Sequence, residues 1–225
     1  MAPYTRALFL AGSTTTGDPR PESDIDLIVV AQNNRVWLNR FFLEALTRIF
    51  KIRRTKNNSE NKICFNIFLA NKNPLLPHQD FIGASFYKKI KPVWYEDKTD
   101  LEIFWAKNIW IKKYSELPAS ATEILFSQKY KLTNYFKKFS EIILDFSGLG
   151  LILEKISFEL QKKYLYEKFN DHKNKTTSDF FVNPNLIAYH FPVANYFKEK
   201  TKIFNARRLG VDNPNTNKEQ SSPKV

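Results

Sequence analysis

The chain has 225 residues, enough for one large domain or two small ones, and its 43% hydrophobic and 15% aromatic content excludes a disordered protein. The single cysteine, Cys64, excludes an internal disulfide and predicts a reducing, cytoplasmic location. We expect no signal peptide and no transmembrane segment, because the longest apolar stretch, residues 142–153, contains Asp145 and two glycines.

Two short strands are predicted at the start of the chain. Residues 7–11 form an apolar run that stops at Gly12, and residues 25–30 form a second run rich in β-branched side chains. Asp24 and Asp26 lie two positions apart on this second strand, so both carboxylates project from the same side. This pair is typical of a site for Mg2+ (or Mn2+), although a solvated strand edge is the alternative for such a pair taken alone.

The turn between the strands adds groups that suit phosphate. Gly12 lets the backbone approach a ligand closely, and Ser13 offers a hydroxyl and a backbone N–H. The whole pattern, apolar-Gly-Ser, ten residues, then Asp-apolar-Asp-apolar, resembles the motif of the nucleotidyltransferase superfamily that includes DNA polymerase beta. Gly17 matches a glycine of the smaller bacterial members, but Thr16 replaces the arginine common before it.

The resemblance implies a role for each of these residues. Gly12, Ser13 and Gly17 would bind the nucleotide, and the two aspartates would hold divalent metal and act in catalysis. In the superfamily, two metal ions align a nucleoside triphosphate and an attacking hydroxyl for displacement at the α-phosphate.

A third strand is predicted over residues 62–70, where the superfamily places a third catalytic carboxylate. This chain has Asn66 there, which is neutral and cannot accept a proton, so we expect a weakened second metal. Glu60 or Asp80 is the alternative source of the missing charge. The strand is similar to that of a branch of bacterial nucleotidyltransferase-like proteins, which have a lysine, a cysteine and an asparagine here.

Helices are expected around and after these strands. One is predicted over residues 35–52, and the basic residues at its end suit either the helix dipole or a polyphosphate: Arg48, Lys51, Arg53 and Arg54. The next helical pattern covers residues 80–94, with a possible edge strand at 92–95. Further helices are predicted over residues 102–114, 123–145 with a possible break at 133–134, 151–169 and 193–204.

The apolar positions of the helix at 151–169 predict a buried stripe: Leu149, Ile152, Leu153, Ile156, Leu160 and Tyr164.

The predicted fold is therefore α/β (α+β), a small mixed sheet with flanking helices followed by a helical domain. We predict a nucleotidyltransferase-like domain over residues 1–97, a helical domain over 98–211 and a disordered tail over 212–225. A helix usually precedes the first strand in the superfamily, so its absence predicts a truncated N-terminus.

The net charge of +12 favours phosphate-bearing partners, and residues 106–208 alone have 18 basic against 10 acidic side chains. Lysines that merely solvate helices are the alternative explanation. Two functions stay open: transfer of a nucleoside monophosphate from a nucleoside triphosphate to a hydroxyl of RNA, DNA or protein, and catalytically weak or inactive nucleotide or nucleic-acid binding. A minimal antitoxin-like transferase fits the short first part but not the long helical extension.

Overall fold

The computed structural model describes residues 1–15, 23–55, 58–114, 131–170 and 181–188, without the side chains of Ser13, 131–133 and 169–170. Predictions for Gly17, for the helix at 193–204 and for the tail at 212–225 lie outside these residues, as does the part of the helix at 123–145 that precedes residue 131. No helix among the described residues is long and apolar enough to cross a membrane.

Among the described residues, a mixed sheet of six strands forms the centre of the fold, and its order is β4-β1-β2-β3-β6-β5. The strands are β1 (Thr5–Ala11), β2 (Ile25–Ala31), β3 (Ile63–Ala70), β4 (Lys91–Tyr95), β5 (Phe181–Asn183) and β6 (Leu186–Ala188). Among the described strands, β2 and β3 form the parallel pair, and the other neighbours are antiparallel. The sheet confirms the α+β prediction, and β4 is the predicted edge strand, where a proline such as Pro92 is tolerated.

In the described part of the chain, five helices surround the sheet: α1 (Val36–Ile49), α2 (Phe81–Tyr87), α3 (Lys98–Lys107), α4 (Lys131–Phe146) and α5 (Leu149–Asn170). Short 3-10 turns occur at Ser13–Thr15 and Ile109–Lys113. Helix α3 begins earlier than predicted because the Asp97 side chain accepts a hydrogen bond from the backbone N–H of Thr99 and caps it. Helix α4 runs through positions 133–134 without a break.

Each face of the sheet has its own apolar core. On one face, Phe9 of β1 stacks on Phe104 of α3 with ring centroids 4.0 Å apart. On the other face, Trp37 of α1 and Leu165 of α5 belong to one buried cluster, together with Phe65 of β3. Helices α1 and α5 therefore lie on the same side of the sheet, where burial of their apolar side chains stabilises the fold.

The predicted buried stripe of α5 is wrong for five of its six residues, since Leu149, Ile152, Ile156, Leu160 and Tyr164 are 47–67% exposed. Polar contacts orient this helix instead. Glu154 accepts hydrogen bonds from the backbone N–H groups of Trp37 and Leu38, and Gln161 donates to the carbonyl oxygen of Trp37. These contacts turn the face that contains Leu165 towards α1.

Strands β5 and β6 are a second difference, because no strand was predicted between residues 98 and 211. Leu186–Ala188 pairs with β3 and extends the sheet of the first part of the chain. The division into domains near residue 97 stays a prediction.

Candidate active site

The candidate site lies where β2 and β3 begin and β1 ends. In the sheet register, Asp26 of β2 is opposite Ala11 of β1 and Cys64 of β3. Side chains alternate along a strand, so Asp26 is on the same face as Ile28, the face that α2 and α3 cover further along. The site is therefore at the edge of this core, and Asp24 and Asp26 are half-buried there.

Asp24, Asp26 and Cys64 bring three potential metal ligands together. One ligand atom from each residue lies within 4.8 Å of the others, and this is the one such group in the part of the chain that the structure describes. The sequence predicted the proximity of the two carboxylates but did not assign Cys64 to the site. Glu60 and Asp80, the predicted substitutes for a third carboxylate, are not in this group; Asp80 caps α2 by accepting from the N–H of Gly83.

Burial and a neighbouring carboxylate make Asp26 an unfavourable place for a negative charge. Burial and then the neighbouring charge of Asp24 raise the pKa of the Asp26 carboxyl from 3.8 to about 6, while a hydrogen bond from Asn66 and the charge of Arg54 oppose this rise. A divalent cation between the carboxylates would remove the repulsion, so the donor set fits the metal that the superfamily uses.

Asn66 connects the group through its amide. Its Nδ2 donates to Asp26 Oδ1 at 2.7 Å, and its Oδ1 accepts from the thiol of Cys64 at 3.1 Å. The side chain is buried, and an irregularity in the β2–β3 register between Leu27 and Ile28 lies beside it. Asn66 thus lies where the sequence predicted it, but it orients a carboxylate and a thiol and offers no negative charge of its own.

Gly12 is required at its position for two reasons. Its φ of +73° lies in the left-handed region, and an added Cβ would be 2.1 Å from Asp26 Oδ2. The glycine therefore makes room for the carboxylate of Asp26. The 3-10 turn that follows is held by the hydroxyl of Thr15, which donates to the carbonyl oxygen of Gly12 at 2.7 Å.

The two arginines after α1, Arg53 and Arg54, have different roles. Arg53 makes two hydrogen bonds to the Glu44 carboxylate, at 2.7 and 2.9 Å, and donates to the carbonyl oxygen of Ile63, so it ties α1 to β3. Arg54 donates from Nη1 to Asp24 Oδ2 at 2.7 Å and lies 3.9 Å from Cys64 Sγ. Arg54 therefore supplies positive charge to the candidate metal site.

Sequence reasoning missed Cys64 as a member of this site, and it gave Arg54 only as one of four basic residues suited to the helix dipole or to a polyphosphate. The signal for Cys64 was available: it precedes Asn66 by two positions, so both side chains are on one face of a strand that pairs with β2. The role of Arg54 had no such signal, because the turn after α1 determines where its side chain reaches.

The described geometry agrees with a comparison to known families. Residues 3–101 match the family model described as the nucleotidyltransferase domain, and this match covers β1, β2, β3 and the whole candidate site. No curated protein and no solved structure matches the chain. Residues 3–101 are therefore a nucleotidyltransferase domain of the polymerase beta-like superfamily.

Proposed function

We propose that the protein transfers a nucleoside monophosphate from a nucleoside triphosphate to a hydroxyl group and releases pyrophosphate. The observation that carries this proposal is the convergence of Asp24 and Asp26 beside the left-handed turn at Gly12, within a nucleotidyltransferase domain. In the reaction, the hydroxyl oxygen forms a bond to the α-phosphorus while the bond from that phosphorus to the bridging oxygen of the β-phosphate breaks. The hydroxyl proton leaves to water.

The residues of the site have distinct tasks in this proposal. Asp24 and Asp26 would hold a divalent ion, Mg2+ or Mn2+, which supplies charge neutralisation and alignment for the triphosphate. Gly12 and Ser13 would place backbone N–H groups near the phosphates, with Gly17 as a further predicted contact outside the described residues. Asn66 would hold the Asp26 carboxylate in position through its 2.7 Å hydrogen bond.

The acceptor is proposed by chemical class. The basic excess of the chain favours a hydroxyl on RNA or DNA, and a protein hydroxyl is the alternative acceptor. A reducing, cytoplasmic setting remains part of the proposal, since Cys64 is a free, buried thiol.

A second function is favoured by one specific feature: the position of the third carboxylate is occupied by an amide, and Arg54 already neutralises Asp24. On that basis the protein would be a catalytically weak or inactive protein that binds nucleotides or nucleic acids. The two functions differ in turnover rather than in nucleotide binding.

Labelled nucleotides distinguish them. The protein is incubated with total RNA, DNA or cell protein and with nucleoside triphosphates labelled at the α- or the γ-phosphate, in Mg2+ and in Mn2+. Transfer of the α-label to an acceptor, with the γ-label in pyrophosphate, is expected from the parent and from the control variant Glu102→Gln, whose side chain is exposed on α3. It should be absent from the double variant Asp24→Asn, Asp26→Asn. Equal transfer by the double variant, or transfer of the γ-label, would contradict the proposal.

A further inference from the structure

We propose that Cys64 is a third protein ligand of the metal ion held by Asp24 and Asp26, and that the site therefore selects a softer ion such as Co2+ or Zn2+ over Mg2+. This inference rests on the proposed metal site and adds a ligand to it. It starts from the three donors that the sheet brings together.

The parallel register sets the geometry. Cys64 is the register partner of Asp26, so their side chains leave neighbouring strands at the same height and on the same face. The ligand atoms of Asp24, Asp26 and Cys64 lie within 4.8 Å of one another. Two ligands of one ion are separated by at most about 4.4 Å, twice the metal–ligand distance, so small side-chain rotations bring all three atoms into one coordination sphere.

Charge is the second argument. Asn66 leaves the site one negative charge short of a set of three carboxylates. A thiol that coordinates a metal loses its proton, so Cys64 would restore the third negative charge as a thiolate. The thiol already points into the group, because it donates to Asn66 Oδ1 at 3.1 Å.

Ligand chemistry then sets the choice of metal. Mg2+ prefers oxygen ligands in octahedral geometry and gives up water reluctantly, whereas a thiolate suits Zn2+ and other softer ions. Asn66 would not bind the ion itself. Its amide would fix the orientation of the Asp26 carboxylate, and such contacts to a ligand raise metal affinity at other sites.

Arg54 must give way for the ion to bind. Its guanidinium is 2.7 Å from Asp24 Oδ2, but its side chain is 44% exposed, so it can turn into solvent at small cost. We expect Arg54 to compete with the metal in the absence of nucleotide.

Cobalt spectroscopy tests the inference directly, because the chain has a single cysteine and any thiolate-to-cobalt absorption must come from Cys64. The whole protein, free of metal and nucleotide, is titrated with Co2+ at neutral pH. The parent should develop the near-ultraviolet charge-transfer band of a cobalt thiolate and should bind Co2+ more tightly than Mg2+. Cys64→Ser and Cys64→Ala should lack the band and bind Co2+ at least about tenfold more weakly. Even the loss of a residue that only hydrogen-bonds to a ligand lowers metal affinity about 10–100-fold.

Two further measurements make the result specific. Arg54→Gln should keep the band and bind Co2+ more tightly than the parent, because a competing cation is removed. Cys64→Ser should shift the preference towards Mg2+, because a hydroxyl oxygen is a harder ligand than sulfur. Thermal unfolding of both cysteine variants checks that they are folded.

The outcomes separate this inference from the proposed function. If the parent binds Co2+ without the band, or if the cysteine variants bind it as tightly, Cys64 is not a ligand, even when Mg2+ supports nucleotide transfer. If the band forms but no transfer occurs, the inference about Cys64 holds and the transferase function fails.

Discussion

Replacing Asp26 by asparagine removes one of two neighbouring carboxylates while keeping the shape of the side chain. The amide oxygen can still accept the hydrogen bond that Asn66 now donates to Asp26 Oδ1. We therefore expect Asp26→Asn to raise the free energy of unfolding of the metal-free protein at pH 8, although it removes a proposed metal ligand.

The magnitude follows from the pKa of the carboxyl. Burial and then repulsion by Asp24 raise this pKa from 3.8 to about 6 in the folded protein. At pH 8 the side chain is ionised in both the folded and the unfolded chain, so the raised pKa lowers the free energy of unfolding by up to about 3 kcal/mol. As the pH falls through 6, the folded protein takes up a proton before the unfolded chain does, and most of this cost is gone at pH 4.

The assay is urea unfolding of the parent and Asp26→Asn in EDTA between pH 4 and pH 8. The gain of the variant should be largest at pH 8 and should decrease steadily towards pH 4. Glu102→Gln, an exposed substitution on α3, is the control and should change stability by less than about 0.5 kcal/mol at either pH. A variant that is no more stable than the parent at pH 8, or a gain that does not depend on pH, would refute the reasoning.

Three further substitutions test separate contacts. Gly12→Ala should destabilise the protein by more than Gly148→Ala and should weaken metal binding. Both glycines have a positive φ, but only at Gly12 would an added Cβ lie against a carboxylate. Equal losses of unfolding free energy in the two variants would contradict this. Glu154→Ala should cost about 1 kcal/mol in urea unfolding through the lost cap of α1, whereas Glu159→Ala on the exposed side of α5 should not. Asn66→Asp should lower the stability of the metal-free protein and increase the stabilisation by Mn2+, because it replaces a donor 2.7 Å from a carboxylate with a third negative charge. Thermal unfolding with and without Mn2+ checks this, and an unchanged response to the ion would count against it.

The first three strands could be predicted from the sequence because their patterns are local. The β-branched run after Asp26 and the apolar run before Gly12 each correspond to an observed strand. The proximity of Asp24 and Asp26 also followed from the two-residue period of a strand. Thus the centre of the candidate site was visible before the fold was known.

Features that depend on partners distant in sequence were not predictable in this way. The apolar stripe of α5 predicted the buried side wrongly, because Glu154 accepts hydrogen bonds from α1 and Gln161 donates one to it, and these contacts set the rotation of the helix. Strand β6 is three residues long and pairs with a strand more than a hundred positions away, so its own sequence contains too little pattern to predict it. Arg54 likewise reaches Asp24 only through the turn that follows α1.

The central claim is that Asp24 and Asp26 bind a nucleoside triphosphate through a divalent ion, and calorimetry tests it most directly. The parent and the double variant Asp24→Asn, Asp26→Asn are each titrated with ATP, CTP, GTP and UTP in Mg2+, in Mn2+ and in EDTA. The parent should bind at least one of the four only when a divalent ion is present, and the double variant should lose that binding while remaining folded. Metal-dependent binding of equal strength in the double variant would contradict the account.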